Sequence, residues 1–248
     1  MNEGVGREFV EKTKYPNLPP SAQQMGQLQP PLEKPFSGAK TIELPDPGAY
    51  GPGPCDFRKL IKQRTSVRKY SPAPLALEQL AYLLWCTQGV KKLIEGVGTF
   101  RTVPSAGARH ALETYLLVNR VESLSPGLFR YLAGAHKLGE VSLGRQHAAA
   151  VERGCLGQTM IIGSAATFIW TAVAERMTWR YGQRGYRYLY LDAGHACQNL
   201  YLAAEAIGCG VCAVAAFDDD EMNAVLSLDG REEFVIYIAA VGRKPVKP

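Results

Sequence analysis

Four stretches of the chain carry residue types and spacings that could do chemistry. Arg64-Thr65-Ser66-Val67-Arg68 sets two cations four residues apart with two hydroxyls between them. A guanidinium is a planar fork of donors that matches phosphate oxygens, and a hydroxyl adds a bond to phosphate or to a ring edge. The run can therefore hold a phosphate monoester, or it can be a solvated basic patch after a helix. Pro104-Ser105-Ala106-Gly107 is a loop of small residues, which either lets backbone approach a flat ligand or is a plain turn. Gly208-Cys209-Gly210-Val211-Cys212, running on through Ala215 and Ala216 to Phe217, is a second place where main-chain N–H groups could meet a planar ligand. Gly242-Arg243-Lys244-Pro245 follows an apolar run and offers two more cations, for a phosphate pocket or as a basic tail.

Other chemistries have less support. The Cys209-x-x-Cys212 spacing invites a redox or zinc reading, but a low-pKa thiolate sits at a helix start, and this pair follows a helix end. Zinc would need two more ligands, and His195 and Cys197 lie one helix away. Buried small hydrophobes are the plainer reading. There is no Gly-x-Gly-x-x-Gly, no Walker-type Gly-Lys-Thr and no Gly-x-Ser-x-Gly elbow. The 28 Lys and Arg are scattered, and the net charge of +5 suits an anionic cofactor without calling for nucleic acid.

The elements that must position these residues can be read from periodicity. Residues 1–54 collect Pro19, Pro20, Pro30, Pro31, Pro35, Pro45, Pro47, Pro52 and Pro54, so they read as an extended arm, either disordered or wrapped over a partner subunit. A domain of residues 55–248 follows, starting with a short helix over 56–63. Leu77, Leu80, Ala81, Leu84 and Trp85 mark one buried helical face, ended by Gly89. Residues 113–119, 128–132 and 167–173 read as strands. Ala193, Cys197, Leu200, Ala204 and Ile207 mark a helix over 192–207, stopped by Gly208. Asp218 caps a short helix, with Glu221 at the capping-box position. The nearly continuous apolar run 234–241 suits a central strand covered on both faces. Helices and strands alternate, giving an α/β or α+β sandwich. The apolar stretch from Met160 to Ala174 is shorter than the roughly 20 residues of a membrane helix. With no apolar leader at the polar N-terminus, a cytoplasmic chain with reduced thiols is expected.

Taken in order, these pieces resemble the nitroreductase superfamily, and most of all its SagB-type branch, which includes the azoline oxidases. The resemblance covers roughly residues 40–245. It rests on Arg64-to-Ser71, Pro104-to-Gly107, Tyr181-to-Tyr188, Asp192-to-Ala204, Gly208-to-Phe217 and Val241-to-Pro245. It implies an α+β fold, a mixed sheet sandwiched by helices, in a homodimer that binds FMN without a covalent bond. Arg64, Thr65, Ser66 and Arg68 would meet the phosphate, ribityl chain and pyrimidine edge, and Arg243 with Lys244 would close on the phosphate. Pro104, Ser105, Ala106 and Gly107 match a loop the family supplies from the other subunit, and Ala215 and Ala216 match main-chain positions beside flavin N5. Hydride would pass between N5 and a small organic or peptide-derived substrate, with NAD(P)H, oxygen or another acceptor completing the cycle.

One position departs from that branch. In azoline oxidases a Lys-Tyr pair before the Gly-x-x-x-Tyr segment is implicated in proton removal, and Arg180-Tyr181 stands at that place here. Arginine stays protonated, so it is no conventional base. As catalytic candidates, Tyr181 could still donate or accept a proton and Arg180 could grip an anionic substrate; alternatively both are structural. Competing readings are an NAD(P)H-dependent reductase of nitro-aromatics or quinones, a non-catalytic flavin-binding protein, and a thiol protein built on Cys209 and Cys212.

Overall fold

The computed structural model describes residues 4–94 and 96–245. Its centre is a seven-stranded sheet of order β1-β6-β5-β4-β7-β9-β8. In chain order the strands are β1 (Thr41–Glu43), β4 (Leu112–Val118), β5 (Gly127–Leu132), β6 (Lys137–Leu143), β7 (Ala166–Val173), β8 (Cys209–Val214) and β9 (Glu233–Arg243). A separate hairpin joins β2 (Val90–Ile94) to β3 (Gly98–Arg101). The strand pairs of the large sheet run antiparallel; parallel pairing enters where Ser66 bridges Val211 on β8.

Both faces of the sheet are covered, which is why β7 and β9 read as unbroken apolar runs. Trp170, Phe168, Ile236 and Val241 face one core with α3 (Leu77–Gln88) and α7 (Gly185–Ala206). Ile169, Val235 and Ile238 face a second core with α4 (Gln146–Gly154), α5 (Met160–Gly163) and α8 (Asp219–Val225).

Local chemistry accounts for the helix ends. Asp56 accepts from Lys59 N at 3.2 Å to start α2 (Phe57–Gln63), and Asp218 accepts from Glu221 N at 2.8 Å to start α8. Gly89 ends α3 for a different reason than a left-handed cap: its φ is −58°, and a Cβ there would stand 2.3 Å from the Trp85 ring. Gly208, at φ +72°, does use the left-handed region after α7.

The structure differs from the sequence expectations in the N-terminal arm and at the start of α7. The first 54 residues are not wholly extended: α1 (Val5–Lys12) precedes the first proline, Pro16, and carries a Glu8–Lys12 pair one turn apart. The arm packs on its own chain, with Lys34 N donating to Glu113 at 2.8 Å and Arg176 Nε to Pro31 O at 2.8 Å. Beyond Gly208, Cys209–Val214 pairs with β9 as the edge strand β8. The segment Ala174–Tyr181 forms α6, and α7 starts at Gly185 rather than at 192. No helix among the described residues is long and apolar enough to cross a membrane.

Candidate functional site

The sequence-singled residues gather into two groups on opposite sides of α7. The first surrounds Tyr201. Val67 N bonds Val211 O at 2.9 Å, which lays the Arg64–Arg68 run along β8. Gly210 permits this approach, since a Cβ there would stand 2.5 Å from Val67. The Tyr201 hydroxyl accepts from Ala213 N at 2.9 Å and lies 3.1 Å from Ser66 Oγ, and Arg64 stacks over its ring at 5.2 Å. Thr65, Ser66 and Arg68 are exposed, and among the described residues neither Arg64 nor Arg68 has a carboxylate partner. Two guanidiniums without carboxylate partners, flanking two exposed hydroxyls of which that of Ser66 also meets Tyr201, fit a phosphate ester.

Beside this group, Tyr190, Ala193, Gly194, Ala215, Phe217 and Tyr237 line a cavity of about 470 Å³. Ala215 and Ala216 are exposed just past β8, and Ala216 O accepts from Gln158 Nε2 at 2.9 Å. Arg243 and Lys244 are less free than their types suggest. Arg243 donates to Pro74 O at 2.9 Å and to Gln79 Oε1 at 3.0 Å, while Lys244 pairs with Glu205 at 2.5 Å.

The second group is the Pro104–Gly107 loop with Asp192 and Tyr181. Ala106 N donates to Asp192 Oδ1 at 3.2 Å, and Ser105 Oγ accepts from His110 N at 2.9 Å. Asp192 is buried, its second oxygen has no partner among the described residues, and burial raises its pKa against the opposing bonds from Ser105 and Ala106. Gly107, at φ +58°, packs so closely that a Cβ would stand 2.4 Å from the Tyr181 hydroxyl and 3.1 Å from Arg180 Cδ. Arg180 and Tyr181 end α6 and line a cavity of about 430 Å³ whose other wall is the arm, from Tyr15 to Gln24.

Asp192, Tyr201 and Tyr15 were not singled out in the sequence as site residues. Asp192 left a signal, a carboxylate on the otherwise apolar inner stretch of the α7 pattern. Tyr201 and Tyr15 left none that periodicity could find. Cys209 and Cys212 are both buried but face different cores, so their thiols lie on opposite sides of the sheet and do not form one dithiol site.

The fold is a two-faced α+β sandwich with a basic, hydroxyl-bearing run along one edge strand and a glycine-tight loop behind the long helix. The family model described as the nitroreductase family matches residues 61–243. A nitroreductase-named protein of Methanocaldococcus jannaschii is 36% identical over 188 residues, 75% of this chain and 89% of its own. The chain belongs to the nitroreductase family. The trifolitoxin-processing protein TfxB of Rhizobium leguminosarum bv. trifolii is 28% identical over 60% of this chain, which spans 41% of the length of TfxB. Among solved structures, a nitroreductase-named chain from Ralstonia eutropha superposes with a TM-score of 0.68 at 22% identity, covering 89% of this chain and 98% of its own. A chain of the Escherichia coli microcin synthetase McbBCD complex gives a TM-score of 0.61 at 19% identity, over 97% of this chain and 87% of its own. At these identities both structures speak to the fold.

Proposed function

We propose that this protein is an FMN-dependent oxidoreductase of the SagB type, acting as a homodimer on a small organic or peptide-derived substrate. The observation that carries this reading is the placement of the two residue groups about α7. Asp192 and Tyr201 are nine residues apart, and at about 100° per residue they project from opposite sides of the helix. One flat ligand therefore does not reach both groups within one chain. Between the two groups α7 presents Leu191, 59% exposed, with His195 and Gln198 also exposed. A second copy seated on this stripe would bring its Pro104–Gly107 loop to the Arg64–Arg68 group of the first, which supports two composite sites per dimer.

In that site Arg64, Ser66 and Arg68 would bind the phosphate and ribityl end. The exposed backbone at Ala215 and Ala216 would lie along the ring, and the partner loop would close the other side. When bound, FMN supplies the hydride-accepting and hydride-donating centre. The chain then needs only to orient the substrate and manage a proton. Tyr181, held against Gly107, is the hydroxyl placed for that proton, and Arg180 beside it stays charged. Lys244, held by Glu205, contributes background charge rather than a direct contact.

Likeness to TfxB and to the microcin synthetase chain supports a role in modifying a peptide-derived substrate. The M. jannaschii relative's name favours a second reading, an NAD(P)H-dependent nitro-aromatic or quinone reductase. The test is the visible absorption spectrum of the purified protein, followed by heat release and identification of the chromophore. Oxidised-flavin bands released as FMN are expected. Anaerobic bleaching by an azoline peptide then marks the first reading and bleaching by NADH or NADPH the second. A colourless protein that takes up no added FMN overturns both.

A further inference from the structure

We infer that the cavity between the N-terminal arm and Arg180–Tyr181 is the substrate pocket of the proposed site, and that it selects small molecules carrying a carboxylate on a flat body. This rests on the oxidoreductase reading above and adds the substrate class.

The cavity is built rather than incidental. Its arm wall is pinned directly to α6: Gln23 N donates to Trp179 O at 2.8 Å, and Trp179 Nε1 donates to Gln27 O at 2.9 Å. Ser21, only 6% exposed, closes a local turn with Gln24 through Ser21 N to Gln24 Oε1 at 2.8 Å and Gln24 N to Ser21 Oγ at 3.3 Å. Farther back, Thr13 is buried and its backbone and hydroxyl oxygens accept from Arg184 at 2.8 Å and Arg187 at 2.7 Å. Tyr15 is held by a 3.0 Å contact of its hydroxyl with that of Tyr188 and by the Arg184 guanidinium 4.4 Å from its ring. Tyr188 in turn meets Tyr181 edge-on at 4.8 Å, so the arm, α7 and the end of α6 form one aromatic wall. Prolines 19 and 20 complete the lining, which suits a flat or apolar body.

Charge decides what the pocket prefers. Arg180 lines it, Arg184 packs behind its Tyr15 wall, and Arg109 and Arg187 lie farther back, at Trp179 and at Thr13; among the described residues none of the four is ion-paired. The donors of Arg109, Arg184 and Arg187 are taken by backbone or hydroxyl oxygens. Their charges still raise the local potential, while Arg180, exposed on the cavity and 5.8 Å from the Tyr181 ring, has no hydrogen-bond or carboxylate partner among the described residues. One free guanidinium matches one carboxylate in a two-point pairing. The cavity lining contains no Asp or Glu to compete for it. Tyr181 touches both this cavity and Gly107, so a body anchored on Arg180 extends toward the loop proposed to cover the cofactor.

The test is a calorimetric titration of the holoprotein with 4-nitrobenzoate and 4-nitrobenzamide, two bodies of one shape that differ in charge. The carboxylate is expected to bind at least tenfold tighter. In Arg180→Gln that preference falls below threefold, and Arg180→Lys keeps part of it. Tyr15→Ala, with its folding checked by melting temperature, weakens both ligands and leaves their ratio unchanged. Equal affinities in the unmodified protein, or a preference that survives Arg180→Gln, overturn the inference. A yellow protein without carboxylate preference leaves the proposed function standing. A colourless protein with an Arg180-dependent preference overturns the oxidoreductase reading, and with it the assignment of the cavity as that site's substrate pocket, and leaves only its carboxylate selectivity.

Discussion

Gly107 and Tyr181 lie in direct contact, so closely that the Cα of Gly107 leaves no room for a methyl beside the Tyr181 hydroxyl. The contact ties the Pro104–Gly107 loop to the end of α6, and the left-handed φ of Gly107 adds a second reason for glycine. Gly107→Ala is expected to lower stability by about 1–3 kcal/mol, through strain at positive φ plus the clash. Tyr181→Phe removes the nearest clashing atom. The double variant should therefore be less destabilised than the sum of the two singles, by about 0.5 kcal/mol or more in denaturant melts. Strict additivity would mean that the two positions do not meet.

The phosphate-binding assignment separates residues of the same type. Arg68 is exposed and unpaired among the described residues, whereas Lys244 is held by Glu205. Arg68→Gln should weaken FMN binding by roughly 10- to 100-fold, the worth of a lost charge-assisted contact. Lys244→Gln should cost less than threefold. Flavin-fluorescence titrations of the two apoproteins would decide it, and equal losses would sink the distinction.

Thiol reactivity should follow burial rather than the Cys209-x-x-Cys212 spacing. Cys55 is exposed, while Cys155, Cys197, Cys209 and Cys212 are buried. Burial pushes the thiol of Cys209 up to about 11 and that of Cys197 up to about 12. In the folded protein a disulfide reagent at pH 8 should modify Cys55 quickly and the buried four only as the chain unfolds. Cys209→Ala/Cys212→Ala should keep its activity. Rapid loss of activity on selective modification of Cys209 or Cys212 would contradict this.

Acid stability should carry the signature of His110. Burial, reinforced by Arg101, pushes its pKa down from 6.5 to about 3. The unfolded chain then binds this proton below about pH 6.5 while the folded chain resists it. Stability is complete above that value and falls as pH drops toward 3, by up to about 1.4 kcal/mol per unit from this residue. His110→Asn is the fitting replacement, because the residue sits at φ +45° and Asn tolerates that region. Its melting temperature should fall less steeply with acid than that of the parent, and parallel slopes would rule His110 out.

Much of the frame was legible in the sequence because it depends on local rules. Asp56 and Asp218 announce helix starts by the bond a short carboxylate makes to the third backbone N–H. The apolar spacing of α3 and α7, and the continuous runs of β7 and β9, follow from burial on one stripe or on two faces. The residue types of the Arg64–Arg68 run offered either an anion site or a solvated basic patch, and local rules do not choose between them. The segment Ala174–Tyr181 escaped because its buried face is only Ala174, Met177 and Trp179 together with a buried arginine, Arg176, and is too short to stand out beside the preceding apolar strand, and β8 escaped because Cys, Gly and Ala advertise no strand.

Other features were decided only by the tertiary structure, because they depend on which distant groups become neighbours. Sequence types do not reveal that Glu205 holds Lys244, that Cys209 and Cys212 face different cores, or that the arm folds back so that Tyr15 reaches Tyr188. Nor does the sequence show that the Pro104–Gly107 loop comes to rest on Asp192 and the Arg64–Arg68 run on Tyr201. Side-chain chemistry is written along the chain, but the pairing that leaves Arg180 open and Lys244 occupied is set by long-range packing, where each contact is chosen against every other.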